Sequence, residues 1–203
     1  PDLKKLDVEN NDQLQALAKQ VQELIIKTEM PQELQDEIVE AYEALDTKDM
    51  LSQSEPFVAV RSSANAEDGP EASFAGQNAT YLNMKGKQKV LAAVKACWAS
   101  LFTARSIYYR TKNNFNHTKV FIAVVVQQMV NSEKAGVMFS VNPVSQKPNE
   151  IMIEATYGLG ESVVSGAITP DEYIVDKNSE EVITRNIVKK TWMFTRDPEK
   201  GET

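Results

Sequence analysis

Arg61 follows the apolar run Phe57-Val58-Ala59-Val60 and precedes two serines, in the stretch FVAVRSSANAEDGPEASFAGQNATYL of residues 57 to 82. A guanidinium carries a permanent charge and a planar fork of donors that matches phosphate oxygens. The apolar run predicts a strand that delivers it to the point where strand chemistry gives way to loop chemistry. The small-residue segment Ala72 to Gln77 contains Gly76, which lets the main chain approach an anion closely and aim N–H groups at it. A second strand is predicted over Ala79-Thr80-Tyr81-Leu82. Together these residues have the equipment to hold a polyphosphate. An ordinary hairpin with an arginine at its mouth has the same spacing, so the residues alone leave both readings open.

A second polar signal is Gln127, inside the strand-like run VFIAVVVQQMV. An amide interrupting a β-branched run must find hydrogen-bond partners or cost stability. Gln128 falls on the opposite face by strand alternation. Glu154 in IMIEA and Glu161 in GLGES carry the carboxylates that magnesium prefers. Gly158 and Gly160 suit a close-packed turn. The single histidine, His117, lies in a polar stretch, Asn116-His117-Thr118, and reads as a solvated loop residue.

The elements that position these groups follow from periodicity. Residues 13 to 27 carry Leu14, Leu17, Val21, Leu24 and Ile25 at helical spacing, with Asn11 or Asp12 as the expected cap. Pro31 opens a second amphipathic helix, PQELQDEIVEAYEAL. Both read as packing helices with acidic solvent faces. Residues 46 to 56 are polar and turn-rich, which divides a helical leading segment, 1–55, from a core, 56–203. Lys87 to Leu101 and Thr103 to Arg110 predict two further helices. Val120 to Val130 and Gly136 to Asn142 look like neighbouring strands. Glu150 to Ala155, Ile168 to Val175 and Val182 to Val188 complete a β-rich half. Helices first and strands later favour α+β, with the later half largely antiparallel.

Composition narrows the function. At 203 residues the chain suits one domain or two small lobes, and 42% hydrophobic content with 25% charged residues is that of a globular domain. A net charge of −7 without a basic stripe argues against nucleic acid as a partner. A local arginine with backbone amides and a divalent cation still suffices for a nucleotide. The one cysteine, Cys97, excludes an intrachain disulfide framework and sits in an apolar helical pattern, where a buried inert thiol is expected. The single cysteine makes a reducing cytoplasm the expected setting, and with no signal peptide visible and no continuous apolar run of spanning length no membrane partner is expected.

VRSSANAED, SFAGQ and Thr80 resemble the nucleotide-binding domain shared by phosphoenolpyruvate synthase, pyruvate phosphate dikinase and rifampicin phosphotransferase. CWASLFTARSIYYR, KVFIAVVVQQMV, GVMFSVNP, IEATYGLGESVVSG and TPDEYIVDK are similar to later blocks of that family, in order. The match is nearly continuous from Phe57 to Lys177, and its wording is most similar to that of phosphoenolpyruvate synthases. The family usually reads VRSSATAEDLP, from which Asn65 and Gly69 depart. Gly69 in place of leucine removes a packing side chain from the loop.

The resemblance implies an ATP-grasp fold and binding of ATP with Mg²⁺. It places Arg61 on the ATP phosphates as the catalytic and binding arginine, Gly76 and Thr80 as further ATP contacts, and Gln127 at the adenine edge. No metal ligand is assigned, because the family's magnesium-facing acidic residues lie in a later segment. The whole protein would convert ATP, pyruvate and water to phosphoenolpyruvate, AMP and phosphate. A phosphohistidine and a pyruvate domain of the same polypeptide would take part. His117 does not match that histidine's threonine- or serine-histidine-alanine context. Rifampicin phosphotransferase and pyruvate phosphate dikinase are the alternatives within the family, and a non-catalytic nucleotide-binding regulatory module is the alternative outside it. The chain starts at Pro1 and ends at Thr203, and it reads as an internal fragment. The family's lysine-bearing glycine-rich segment and its later acidic and Gln/Arg segment are not found in it. The fragment alone is therefore expected to be inactive and to bind ATP weakly.

Overall fold

A computed structural model describes residues 3, 6–45, 55–64, 68–69, 72–73 and 79–196. Packing divides the chain into two compact units, residues 1–129 and 130–203.

The first unit begins with α1 (Asn11–Lys27) and α2 (Gln32–Glu43). Asn10, one residue earlier than expected, caps α1 by accepting from the Gln13 N–H at 3.1 Å. Pro31 stands at the N-cap of α2. Then come β1 (Val58–Ala64), the two-residue strands β2 (Asp68–Gly69) and β3 (Ala72–Ser73), and β4 (Thr80–Met84). Helix α3 (Lys87–Ser100) leads to α4 (Ala104–Lys112), whose cap is Thr103, accepting from the Ser106 N–H. β5 (Ile122–Gln128) closes the unit.

β1 lies between β4 and β5 in a three-stranded antiparallel sheet. One face of that sheet is covered by helices. Val58 and Val60 are fully buried there against Val90, Ala93, Val94 and Cys97 of α3 and against Met30 and Tyr42. Each such valine contributes on the order of 1.5–3 kcal/mol by leaving water. The Tyr42 hydroxyl joins three elements, accepting from the Gly86 N–H at 3.0 Å and donating to the Pro56 carbonyl at 2.8 Å. Helix α2 therefore shares one core with the sheet. A second cluster, Leu14, Ala18 and Ile107, packs α1 against α4. The stretch Lys87–Lys112 is long and apolar enough to cross a membrane by composition, although no continuous apolar run suggested it. Its Val90, Ala93, Val94, Cys97 and Ile107 are buried in these two cores.

The second unit is a four-stranded antiparallel sheet in the order β6 (Lys134–Phe139), β7 (Glu150–Tyr157), β8 (Asp171–Asp176), β9 (Val182–Asn186). The short helix α5 (Glu161–Val164) follows β7. Two glycines here permit close backbone approach. A Cβ on Gly136 would stand 2.3 Å from the Glu154 carbonyl oxygen, and one on Gly158, at φ 78°, would stand 2.0 Å from that of Phe194.

The α+β reading holds, and so do most of the expected elements. One neighbour relation does not. β5 and β6 are adjacent in sequence but lie in different sheets, because β5 pairs with β1 along its whole length while β6 pairs with β7. Arg61 is also not at a strand end: β1 continues through Ala64, which places the arginine mid-strand.

Candidate functional site

The sheet face opposite the helices is built by the period of two. Along β1, Val58, Val60 and Ser62 turn inward, whereas Ala59, Arg61 and Ser63 belong to the other face. Register carries that face across the sheet. Arg61 stands opposite Thr80 of β4 on one side and Val125 of β5 on the other. Ala59 stands opposite Gln127, and Ser63 opposite Ala123. Directly opposed residues have Cβ atoms about 5 Å apart, and diagonal neighbours about 7–8 Å. Arg61, Thr80 and Gln127 therefore share one face within reach of a single small molecule.

All three side chains are exposed, and among the described residues none makes a hydrogen bond or ion pair. Gln127 thus needs no buried partner, contrary to the expectation that it must find one; its own side chain is exposed, although Ala59 opposite it is buried. Short side chains, Ala59 and Ala123, flank the arginine along the ladder. What this face offers is a guanidinium, two hydroxyls, an amide and an apolar Val125 on a paired strand backbone. That set suits an anion attached to a planar polar group. Gly76 lies outside the described residues.

The serines after Arg61 divide in role. Ser62 is buried, and its Oγ donates to the Ala79 carbonyl at 3.2 Å and accepts from the Ala79 N–H at 2.8 Å. Together with the Ser62 N–H, which donates to the same carbonyl at 2.9 Å, this clips β1 to the residue that precedes Thr80. Ser63 is exposed and makes no such bond among the described residues.

Other candidates are placed elsewhere. Glu154 of β7 stands directly opposite Glu172 of β8, and Glu161 lies in the first turn of α5. Among the described residues no three carboxylate, histidine or cysteine groups gather as a metal site. Burial pushes the Cys97 thiol up to about 11, so it stays protonated and unreactive.

His117 is not a solvated loop residue. It is half-buried, and its Nδ1 accepts from Arg110 Nε at 3.1 Å while Nε2 lies 3.3 Å from Thr111 Oγ1. Nδ1 is then unprotonated and Nε2 carries the hydrogen. Arg110 itself is fully buried over the Phe102 ring, and burial lowers its pKa to about 10. No sequence pattern announced this pair, apart from seven-residue proximity across a turn.

Cavities are found within each unit. One of about 400 Å³, lined by Gln22, Ile26, Tyr81 and Ala99, is on the helix side of β4. Another of about 340 Å³ lies in the second unit beside Glu150 and Glu172.

Comparison with known proteins identifies the family of the chain. Residues 1–203 match the family described as pyruvate phosphate dikinase, AMP/ATP-binding domain, and the chain belongs to that family. Two relatives are named as phosphoenolpyruvate synthases. The chain is 52% identical over 199 residues to the phosphoenolpyruvate synthase of Pyrococcus furiosus, covering 98% of this chain and 24% of that protein. It is also 52% identical over 198 residues to the probable phosphoenolpyruvate synthase of Methanocaldococcus jannaschii, covering 98% of this chain and 16% of that protein. The chain thus spans about a quarter or less of the length of these relatives, and it is an ATP-binding domain of the phosphoenolpyruvate synthase-like type.

Proposed function

We propose that the open face of the first unit is the ATP site, and that the domain serves a phosphoenolpyruvate synthase. Arg61 grips phosphate oxygens, through charge-assisted bonds worth roughly 1.5–3 kcal/mol each. The Thr80 hydroxyl and a Gly76 backbone amide add donors. Gln127 reads the adenine edge with both halves of its amide. The observation that carries this reading is the register, which sets Arg61 opposite Thr80 and Gln127 one diagonal step away, with all three side chains unengaged among the described residues.

In the whole protein the proposed reaction takes ATP, pyruvate and water to phosphoenolpyruvate, AMP and phosphate, by way of a phosphohistidine on another domain. This domain would position ATP and neutralise its charge, which is most of what phosphoryl transfer asks of a protein. Mg²⁺ would come with the phosphates, where it balances charge; no described cluster forms a protein cage for it. We read the two α+β units as ATP-grasp-like and the setting as cytoplasmic. The names of the relatives favour pyruvate as acceptor over an antibiotic or inorganic phosphate.

Arg61→Ala in the intact polypeptide is expected to abolish ATP-dependent phosphorylation of the carrier histidine, with the melting temperature unchanged. Phosphorylation at the wild-type rate by a folded variant would overturn the assignment.

A further inference from the structure

The ladder also gives a nucleotide on this face a direction, and it implicates a further residue. This inference rests on the ATP reading of the open face. The face presents, in order along β1, the Ala59–Gln127 pair, then Arg61 with Val125 and Thr80, then the Ser63–Ala123 pair. From Ala59 to Ser63 is four residues of extended strand, about 14 Å. That is long enough to lay out an extended nucleoside triphosphate. With the amide of Gln127 at one end and the guanidinium in the middle, base and phosphates can run in only one direction. The side of Arg61 away from Gln127 is occupied by Ser63.

Two identical neighbouring residues make the assignment sharp. Ser62 is turned inward, and its hydroxyl is used up in clipping Ala79. Ser63 is exposed, on the same face as Arg61, and among the described residues its hydroxyl has no partner. The opposed residue is Ala123, whose short side chain leaves a ligand room to reach that hydroxyl. We propose that Ser63 is a phosphate-binding residue for the outer phosphates of ATP, donating its O–H to a phosphate oxygen beyond those held by Arg61. The base would lie at the Ala59–Gln127 end.

The test is equilibrium binding of ATP and of AMP to the intact polypeptide and to four variants. Ser63→Ala is expected to weaken ATP about three- to tenfold, the effect of one neutral hydrogen bond, and to leave AMP unchanged. Ser63→Thr keeps the hydroxyl and is expected to retain near-normal ATP affinity, which separates lost donation from altered packing. Gln127→Ala is expected to weaken both nucleotides equally. A Ser63→Ala variant that weakens AMP as much as ATP, or neither, overturns the proposed direction. Unchanged ATP binding by Arg61→Ala overturns instead the reading of the face as the ATP site.

Discussion

The two faces of β1 differ in how far their bonding capacity is used. On the helix side, Val58, Val60 and Ser62 are buried, packed and hydrogen-bonded. On the other, Arg61 and Ser63 stand exposed and unengaged among the described residues, with Thr80 and Gln127 beside them. Alternation lets one strand do both. Residues that hold the fold and residues available to a ligand interleave within seven positions, so side-chain changes on one face need not disturb the other. The same contrast separates the two arginines: exposed Arg61 is available to a ligand, whereas Arg110 is enclosed and tied to His117.

The largest expected effect tests the inner face. Val60→Asp would put an unpaired carboxylate into the core and should cost more than about 4 kcal/mol, unfolding the first unit in a circular dichroism melt. Arg61→Ala, one residue away, should shift stability by less than about 0.5 kcal/mol. Comparable losses at both positions would refute the division of labour. Next comes Ser62→Ala, which removes both side-chain bonds to Ala79 and should cost about 1–2 kcal/mol in urea unfolding. Ser63→Ala should cost nothing measurable there, so a stability loss at Ser63 as large as that at Ser62 would blur the contrast between them.

The smallest expected effect concerns the Arg110 enclosure. Burial, and then the Arg110 charge, hold the His117 pKa below its ordinary 6.5. As pH falls below 6.5, the unfolded chain takes up a proton that the folded chain resists, and stability drops until the folded-state pKa is passed. His117→Gln should therefore flatten the fall in melting temperature between pH 7 and 5, relative to wild type. An unchanged slope would show that His117 does not contribute to it.

Local pattern made much of this legible. Helical spacing placed α1 to α4, and alternation assigned Gln127 and Gln128 to opposite faces before any register was known. The resemblance singled out Arg61, Thr80 and Gln127, which the ladder brings onto one face; Gly76 falls outside the described residues. What stayed hidden was non-local. The pairing of β5 with β1, some 60 residues earlier, has no signature in either segment, so adjacency in sequence made β5 and β6 look like partners. Arg61 looked terminal because Ser62 and Ser63 resemble loop residues, yet bonds to Ala79 and the full ladder to β5 extend the strand past them. The Arg110–His117 pair depends on side-chain burial, which neither residue type signals.

Because β1 is the middle strand, its main chain is bonded on both sides, whereas β4 and β5 form the rims of their sheet. Isotope exchange at backbone amides should then be slow along β1 whether or not a nucleotide is present. A ligand gripped by the Arg61 guanidinium would leave little extra protection at that residue. Its footprint in time would show on the rims, as slower exchange along β4 around Thr80 and at the end of β5 around Gln127.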